Sequence, residues 1–522
     1  MTELPGTPER LAVIGAGAAG TLTAAQLLRC ATRQHRALEL WLIDPDEAGP
    51  GVAYRTEDRR HLLNVPAGAM SAFPDEPDHF LRWLAAWEPC PDPGEPHQGH
   101  HFLPRRTFGR YLSAVLAQAL DQAPASVRLH RVRRRAVDLA AGPGAVVVTL
   151  AGGDRLPVHA AVLALGLRAP GQAWAPEVLR GHPGFVADPW APDALAAVPD
   201  SGDVLLVGTG LTMADVAVSL ARPGRTVHAV SRHGLAPHGH RVGSPAPVPP
   251  PWGAEEAGPV GEPGPVLDLD RLRRAVLRHI AVVRRERGDW RPAVDGLRTQ
   301  VGALWQRLSP ADRARFLGED LRRWEVHRHR LAPATAATVQ RLRTTGRLTL
   351  AAAEVVAVTP VDGREVLIRL SNGRWLTVAT VVNCTGPSAE LTDSRDPLHS
   401  ALLAQGSAVA GPLGLGLATA ADGRLTPAPG RPVAPLWALG VLRRGELLES
   451  TAIPEIRAQA AALAQRLLPD PGANAGEGRA GGAAACPADG AAGGAVVCDG
   501  AGAAVGDRAV ATGVAESAGA AG

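Results

Sequence analysis

Two glycine-rich segments constrain this chain more than anything else in it. One reads Leu11-Ala-Val-Ile-Gly15-Ala-Gly17-Ala-Ala-Gly20 and the other Val204-Leu-Leu-Val-Gly208-Thr-Gly210-Leu-Thr-Met-Ala-Asp215. In each, a short apolar run reads as a buried strand and the residues after the glycines read as a helix. The first glycine permits a tight strand-to-helix turn and the second lets backbone amides approach a pyrophosphate. The third lets helix and strand pack closely. The pyrophosphate then lies on the unpaired amides and positive end of the helix. A single match of this kind is weak. Two matches in one chain, each with a suitable residue where its second strand ends, imply two bound dinucleotides.

Those end residues differ. In the first unit the strand Leu38 to Ile43 ends in Asp44, about 20 residues past the glycines, where a carboxylate accepts hydrogen bonds from a ribose diol. In the second unit the strand Thr226 to Val230 ends in Ser231-Arg232. A guanidinium cannot accept from a ribose, but it pairs with a 2′-phosphate, and the Ser231 hydroxyl can assist. The contrast assigns FAD to the first site, with Gly15, Gly17, Gly20 and Asp44, and NADPH to the second, with Gly208, Gly210, Ser231 and Arg232. The competing reading of Arg232 is a cap on a surface strand. Met213 stands where a third glycine would be, so the second helix is expected to pack less closely on its sheet.

Composition narrows the remaining classes. With 522 residues, 46% hydrophobic and 20% charged, the chain has the size and balance of a globular protein of two or three domains. Every one of its 54 basic residues is arginine, which excludes Schiff-base and lysine-base chemistry within the chain. A net charge of +3, with arginines interspersed among acids, provides no stripe for nucleic acid. The run Arg131-Val-Arg-Arg-Arg135 reads as a solvated strand edge. Cys30, Cys90, Cys384, Cys486 and Cys498 show no CxxC spacing, so a dithiol redox centre is disfavoured and a reducing compartment favoured. His97, His100 and His101 lack the paired cysteines or HExxH helix of a metal site, and none is expected. There is no apolar run of 18 residues and no signal-peptide pattern, so no membrane association is expected and the cytoplasm is the expected location.

Along the chain, 1–200 reads as the first part of an FAD-binding domain, and 201–344 as an NADP-binding domain with a proline-rich loop and a helical segment. Residues 345–468 read as the second part of the FAD domain, and 469–522 as a disordered Ala/Gly-rich tail. Strand–glycine segments returning near Gly166, Gly386 and Gly440 carry this expectation, placing Gly386 and Gly440 beside the flavin. The fold class is therefore α/β, with two Rossmann-like dinucleotide-binding domains, the NADPH domain inserted in a discontinuous FAD domain. Pro454 opens a final helix in which amides from Ile453 onward would favour negative charge on a reduced flavin.

Further stretches are Gly51-Val-Ala-Tyr54, Leu62-Leu-Asn-Val-Pro-Ala-Gly68, Pro104-Arg-Arg-Thr-Phe-Gly-Arg-Tyr-Leu112, Val326-His-Arg-His-Arg330 and Ser450-Thr-Ala-Ile-Pro-Glu-Ile-Arg457. With these and the two fingerprints, the chain resembles the bacterial FAD/NAD(P)-binding proteins, distantly similar to flavin-containing and N-hydroxylating monooxygenases. The resemblance implies that residues 51–73 wrap the flavin, with Asn64 a hydrogen-bond partner of its ring. An Asx turn before Pro66 explains Asn64 equally well. Tyr111 and Trp83 sit at helical spacing in apolar runs and read as core. The cluster His327, Arg328, His329, Arg330 reads either as a contact for a substrate carboxylate or nicotinamide phosphates, or as a solvated helix end. One departure stands out: related monooxygenases carry an aromatic-glycine-histidine element before the second fingerprint, and Gly184 to Trp190 here holds no histidine. No catalytic side chain is named, because hydride transfer and oxygenation belong to the cofactor.

The leading expectation is an FAD-dependent, NADPH-using monooxygenase acting on a small polar metabolite. The alternatives are an NADPH-dependent flavin reductase or dehydrogenase without oxygen insertion, and a non-catalytic flavin-binding protein.

Overall fold

The computed structural model describes residues 8–88, 97–142, 144–243, 245–252, 266–388, 391 and 396–470. The expected disordered tail lies outside the described residues from 471 onward, as do Cys90, Cys486 and Cys498. The fold is α/β, built on two separate five-stranded sheets of parallel strands. Among the described residues no helix is long and apolar enough to cross a membrane.

In the first sheet the strand Glu9–Ile14 lies between Leu38–Ile43 and Ala160–Leu163, with Val127–Val132 outside the former and Leu436–Ala438 outside the latter. Successive residues of the first strand point into different cores. Leu11 and Val13 pack with the helices Ala18–Arg33, Arg105–Asp121 and Ile453–Leu467, while Ala12 and Ile14 pack on the opposite face. A parallel sheet covered on both faces needs such near-continuous apolar strands. Each fully buried leucine here contributes about 1.5–3 kcal/mol relative to exposure.

The second sheet repeats the plan. Val204–Val207 lies between Val227–Ser231 and Thr380–Asn383, flanked by Leu348–Ala352 and the short strand Phe185–Val186. Each sheet also has an antiparallel three-stranded companion: Ala136–Ala141, Val146–Leu150 and Arg155–Val158 precede the returning strand of the first. Val355–Pro360, Val366–Leu370 and Trp375–Val378 precede that of the second.

This duplication corrects one expectation. The segment leading to Gly386 does not return to the first sheet: Thr380–Asn383 bonds to Val204–Val207, and Leu348–Ala352 bonds to Val227–Ser231. A strand–glycine segment closes each unit, so the pattern at 386 marks the second unit as that at 166 marks the first. Among the described residues only Leu436–Ala438 returns, pairing with Ala161 to Leu163. Phe185–Val186, expected within the first part, likewise bonds to Val381 and Val382 of the second sheet.

The stretch 268–343 is helical as expected, from Leu269–Arg287 to Pro333–Thr344. Asp268 caps the first of these helices by accepting from the Arg271 amide at 2.7 Å, and Gly288 ends it in the left-handed conformation. The segment is tied to the chain beyond 440. The Trp305 indole N–H donates to the Gly445 carbonyl, and Arg298 donates to both oxygens of Glu455 at 2.6 and 2.8 Å.

Candidate dinucleotide and flavin-facing sites

The two glycine turns have the same geometry. Gly15 and Gly208 have φ of +100° and +104°, each donates its N–H at 2.8 Å to the end of its second strand, Ile43 or Val230, and neither has room for a Cβ. A Cβ on Gly15 would meet the Ala164 oxygen at 2.3 Å, and one on Gly208 the Cys384 oxygen at the same distance. Gly17 and Gly210 occupy the N-cap positions of Ala18–Arg33 and Leu211–Leu220 with extended backbone. Neither helix start bears a side-chain cap, so the amides keep a free face for an anion.

The third position distinguishes the units. A Cβ on Gly20 would stand 1.7 Å from the Gly15 oxygen, so only glycine lets that helix sit against its turn. Met213 is instead fully buried in the second core.

The strand ends also differ as the sequence indicates. Asp44 Oδ2 accepts from the Ala16 amide at 2.6 Å and Oδ1 from the Asp46 amide at 2.9 Å, which holds the carboxylate over the first turn. At the second end the Ser231 hydroxyl lies 2.8 Å from that of Thr209, and Arg232 is exposed with no ion pair among the described residues. Arg322 reaches across the second turn, donating to the Thr209 and Leu235 carbonyls at 2.9 Å each.

A cavity of about 1650 Å³ opens at the first turn. Its lining includes Gly15, Asp44, Arg134, Trp174, Gly386 and His399. It brings together Gly15, Asp44 and Gly386 but not Asn64, Gly440 or Ile453. Arg131 to Arg135 lie at the solvent-exposed edge of the first sheet as expected, and Arg134 and Arg135 also line this cavity and pair with Asp154 and Asp396.

Asn64, Gly440 and Ile453 lie outside the lining of that cavity. Gly440 has φ of +68°, donates its N–H to Gln459 Oε1 at 3.0 Å and approaches Ala19. Ile453 opens Ile453–Leu467 with its side chain buried in the first core. From that helix Arg457 donates to the Ser71 carbonyl at 2.9 Å and to that of Ala69 at 3.3 Å. On the other side His240 donates Nε2–H to the Asn64 carbonyl at 3.0 Å. The 61–73 segment is therefore held between the last helix and the second unit. Tyr111 is fully buried among Phe80, Trp83 and Phe108, and its oxygen accepts from the Ala72 amide at 3.0 Å, so it is core that also pins this segment.

Sequence reasoning missed the polar network joining the two units. Arg105 donates to Asp215 Oδ2 at 2.5 Å, while His61 Nε2 and Asp58 Oδ2 lie 2.8 and 2.6 Å from the Ser219 hydroxyl. Burial raises the Asp215 carboxyl above its ordinary range and the Arg105 charge opposes that. Asp215 and Ser219 lie four apart on the fingerprint helix, but nothing in that spacing names partners more than 100 positions away.

The His240 imidazole is lowered to about 4, first by burial and then by the Arg330 charge. An imidazole in the unfolded chain titrates near about 6.5. Between those values the unfolded state binds a proton that the folded state refuses, so stability falls as pH falls through this window. His240→Gln keeps an N–H for the Asn64 carbonyl and removes the titration. The drop in urea midpoint between pH 7 and pH 4.5 should shrink in that variant; an unchanged drop would refute the assignment.

Comparisons with known proteins fit this geometry. Residues 12–168 match the model of a family described as FAD-NAD(P)-binding. That stretch is an FAD/NAD(P)-binding domain. A search of curated protein sequences finds no match. Among solved structures, the chain is similar to an ornithine N-hydroxylase from Kutzneria sp. 744, solved with reduced FAD, NADP⁺ and L-ornithine (15% identity, TM-score 0.54). It is similar also to an ornithine hydroxylase from Pseudomonas aeruginosa (16%, 0.53) and an L-lysine 6-monooxygenase from Pseudomonas syringae (17%, 0.53). Each alignment covers 88% of this chain and 99% of the other. At these identities the likeness is one of fold.

Proposed function

We propose that the chain is an FAD-dependent, NADPH-using oxidoreductase of the monooxygenase type, acting on a small polar metabolite. The observation that carries this reading is the duplicated glycine turn on two separate sheets, with a carboxylate at the end of one unit and Ser231-Arg232 at the end of the other. FAD belongs in the first unit, where Gly15, Gly17 and Gly20 leave the helix amides accessible and Asp44 faces a ribose. NADPH belongs in the second, where Gly208 and Gly210 do the same and Arg232 is free for a 2′-phosphate. The second unit is then the inserted domain, with Phe185–Val186 at its start and Asn383 at its end.

When bound, the flavin supplies hydride acceptance and reaction with oxygen. The chain's own contribution is position and electrostatics. Arg457 and His240 fix the 61–73 segment from opposite sides and so set where Asn64 stands. The amides at Ile453, at the start of the last helix, favour negative charge beside them.

A reductase that inserts no oxygen is favoured only by the missing histidine between Gly184 and Trp190. A dithiol mechanism has little support: Cys30 and Cys384 are both buried, and burial raises both thiols above their ordinary range.

The purified protein is expected to be yellow and reduced faster by NADPH than by NADH. Arg232→Ala should erase a preference of about tenfold or more, since a charge-assisted contact contributes about 1.5–3 kcal/mol. Equal rates with both nicotinamides in the parent protein would refute the phosphate role. Oxygen uptake separates the two reactions. Coupling of NADPH consumption to an oxygenated amine supports the monooxygenase; one hydrogen peroxide per NADPH, whatever amine is present, supports the reductase.

A further inference from the structure

The choice of coenzyme rests on Arg232, yet its exposed side chain forms no ion pair among the described residues that would aim it. Its backbone is aimed instead. Arg232 and His233 form the apex of a tight turn whose Gly234 N–H donates to the Ser231 carbonyl at 3.2 Å and to the Ser231 hydroxyl at 3.1 Å. Gly234 has φ of +62°, and a Cβ there would meet the Ala352 amide nitrogen at 2.8 Å, so the turn lies close against the end of Leu348–Ala352. The Thr209 hydroxyl donates to the Leu235 carbonyl at 2.5 Å, so the Ser231 hydroxyl, 2.8 Å away, donates to Thr209. The Ser231 hydroxyl thus serves to close the turn.

One side chain fastens this loop to the glycine turn. Arg322 Nη2 carries two hydrogens, and it donates one to the Thr209 carbonyl and one to the Leu235 carbonyl, at 2.9 Å each. Those carbonyls belong to the two segments that a dinucleotide must touch at once: residues 208–210 under the pyrophosphate and 231–235 beside the adenosine ribose. Arg322 is itself anchored. It belongs to Leu321–Arg328, whose Glu325 receives Arg322 and Arg444 at 3.5 Å each, and whose Trp324 and Arg328 donate to Glu449 at 2.9 and 3.1 Å. The glycine turn does not depend on this tie, since the Gly208 N–H is held by the Val230 carbonyl at 2.8 Å. Losing the tie therefore frees the loop that carries Arg232 and leaves the pyrophosphate turn in place.

We propose that Arg322 is a positioning residue for coenzyme choice, holding the 231–235 loop at a fixed distance from the 208–210 turn so that Arg232 meets a 2′-phosphate already in place. This rests on the assignment of NADPH to the second unit. A loop fixed in advance loses little freedom on binding, whereas a loose one must be ordered by the coenzyme that uses it. That coenzyme is the one bearing the 2′-phosphate, so loosening the loop weakens NADP⁺ and leaves NAD⁺ as it was.

The test is calorimetric titration of the flavin-loaded protein with NADP⁺ and with NAD⁺. In Arg322→Met the preference for NADP⁺ should fall from about tenfold or more to about threefold or less, through weaker NADP⁺ binding at unchanged NAD⁺ affinity. Amide hydrogen exchange across 231–236 should rise in the same variant without coenzyme. Thr209→Val keeps the side-chain shape but drops the hydroxyl that donates to Leu235. It should shift the preference in the same direction, and it stands in should the Arg322 variant fold poorly. In an Arg232→Ala background, adding Arg322→Met should change the ratio no further, because the residue it aims is gone. A preference retained in both variants, or a further loss in the Arg232→Ala background, would overturn the proposal. So would an equal loss of both coenzymes, which would show that Arg322 holds a part common to the two. Arg232→Ala that keeps the parent's preference would instead refute the 2′-phosphate reading, and the proposal with it.

Discussion

Arg105→Met is expected to destabilise the protein by about 3–5 kcal/mol, the usual effect of removing one partner from a buried ion pair. Asp215 is 4% exposed, and Arg105 is the cation that donates to its carboxylate. Without Arg105 the carboxylate keeps its desolvation penalty and loses its main compensation, so it must take up a proton or draw water into the junction of the two units. In the parent, burial and then the Arg105 charge hold the His61 imidazole below its ordinary range, opposed by Asp215 and Asp58. The double variant Arg105→Met/Asp215→Leu removes both charges and should recover most of the loss. Urea denaturation at pH 7 measures both proteins. A single variant within about 1 kcal/mol of the parent, or a double variant no better than the single, would show that the pair does not hold the junction.

The second large effect separates two glycines that look alike in sequence. Gly15→Ala is expected to be insoluble or unfolded, because it combines a φ of +100° with a Cβ 2.3 Å from the Ala164 carbonyl. Gly17→Ala is expected to fold normally. Its backbone lies at φ −67° and its nearest neighbour would be Gly51 Cα at 3.5 Å, an ordinary contact. The added methyl instead occupies the approach to the helix amides, and FAD affinity should fall tenfold or more, about 1.4 kcal/mol. Thermal unfolding of the apoprotein reports the first quantity and titration with FAD the second. If Gly17→Ala binds FAD as the parent does, the first turn is not a pyrophosphate cradle.

What the sequence determined by itself was local. Gly15, Gly17 and Gly20 with Asp44, and Gly208 and Gly210 with Ser231 and Arg232, are legible because a turn, a helix start and a strand end lie within a few tens of residues. The roles proposed for them follow from backbone sterics and charge. The alternation of Leu11 and Val13 with Ala12 and Ile14 lies in adjacent residues too, and it reaches two cores because both faces of the sheet are covered. Only the tertiary structure decided which sheet each returning strand joins. Thr380–Asn383 and Leu436–Ala438 are both short apolar strands near a glycine, and nothing local distinguishes the one that pairs with Val204–Val207 from the one that pairs with Ala160–Leu163. The tertiary structure also decided the partners of the charged residues. Arg105, Arg330 and Arg134 are three arginines in an arginine-rich chain. One is paired with Asp215, 110 positions away, one is buried with donors to spare, and one lines a cavity. Burial turns a common charge into a specific one, and burial is set by contacts that span the whole chain.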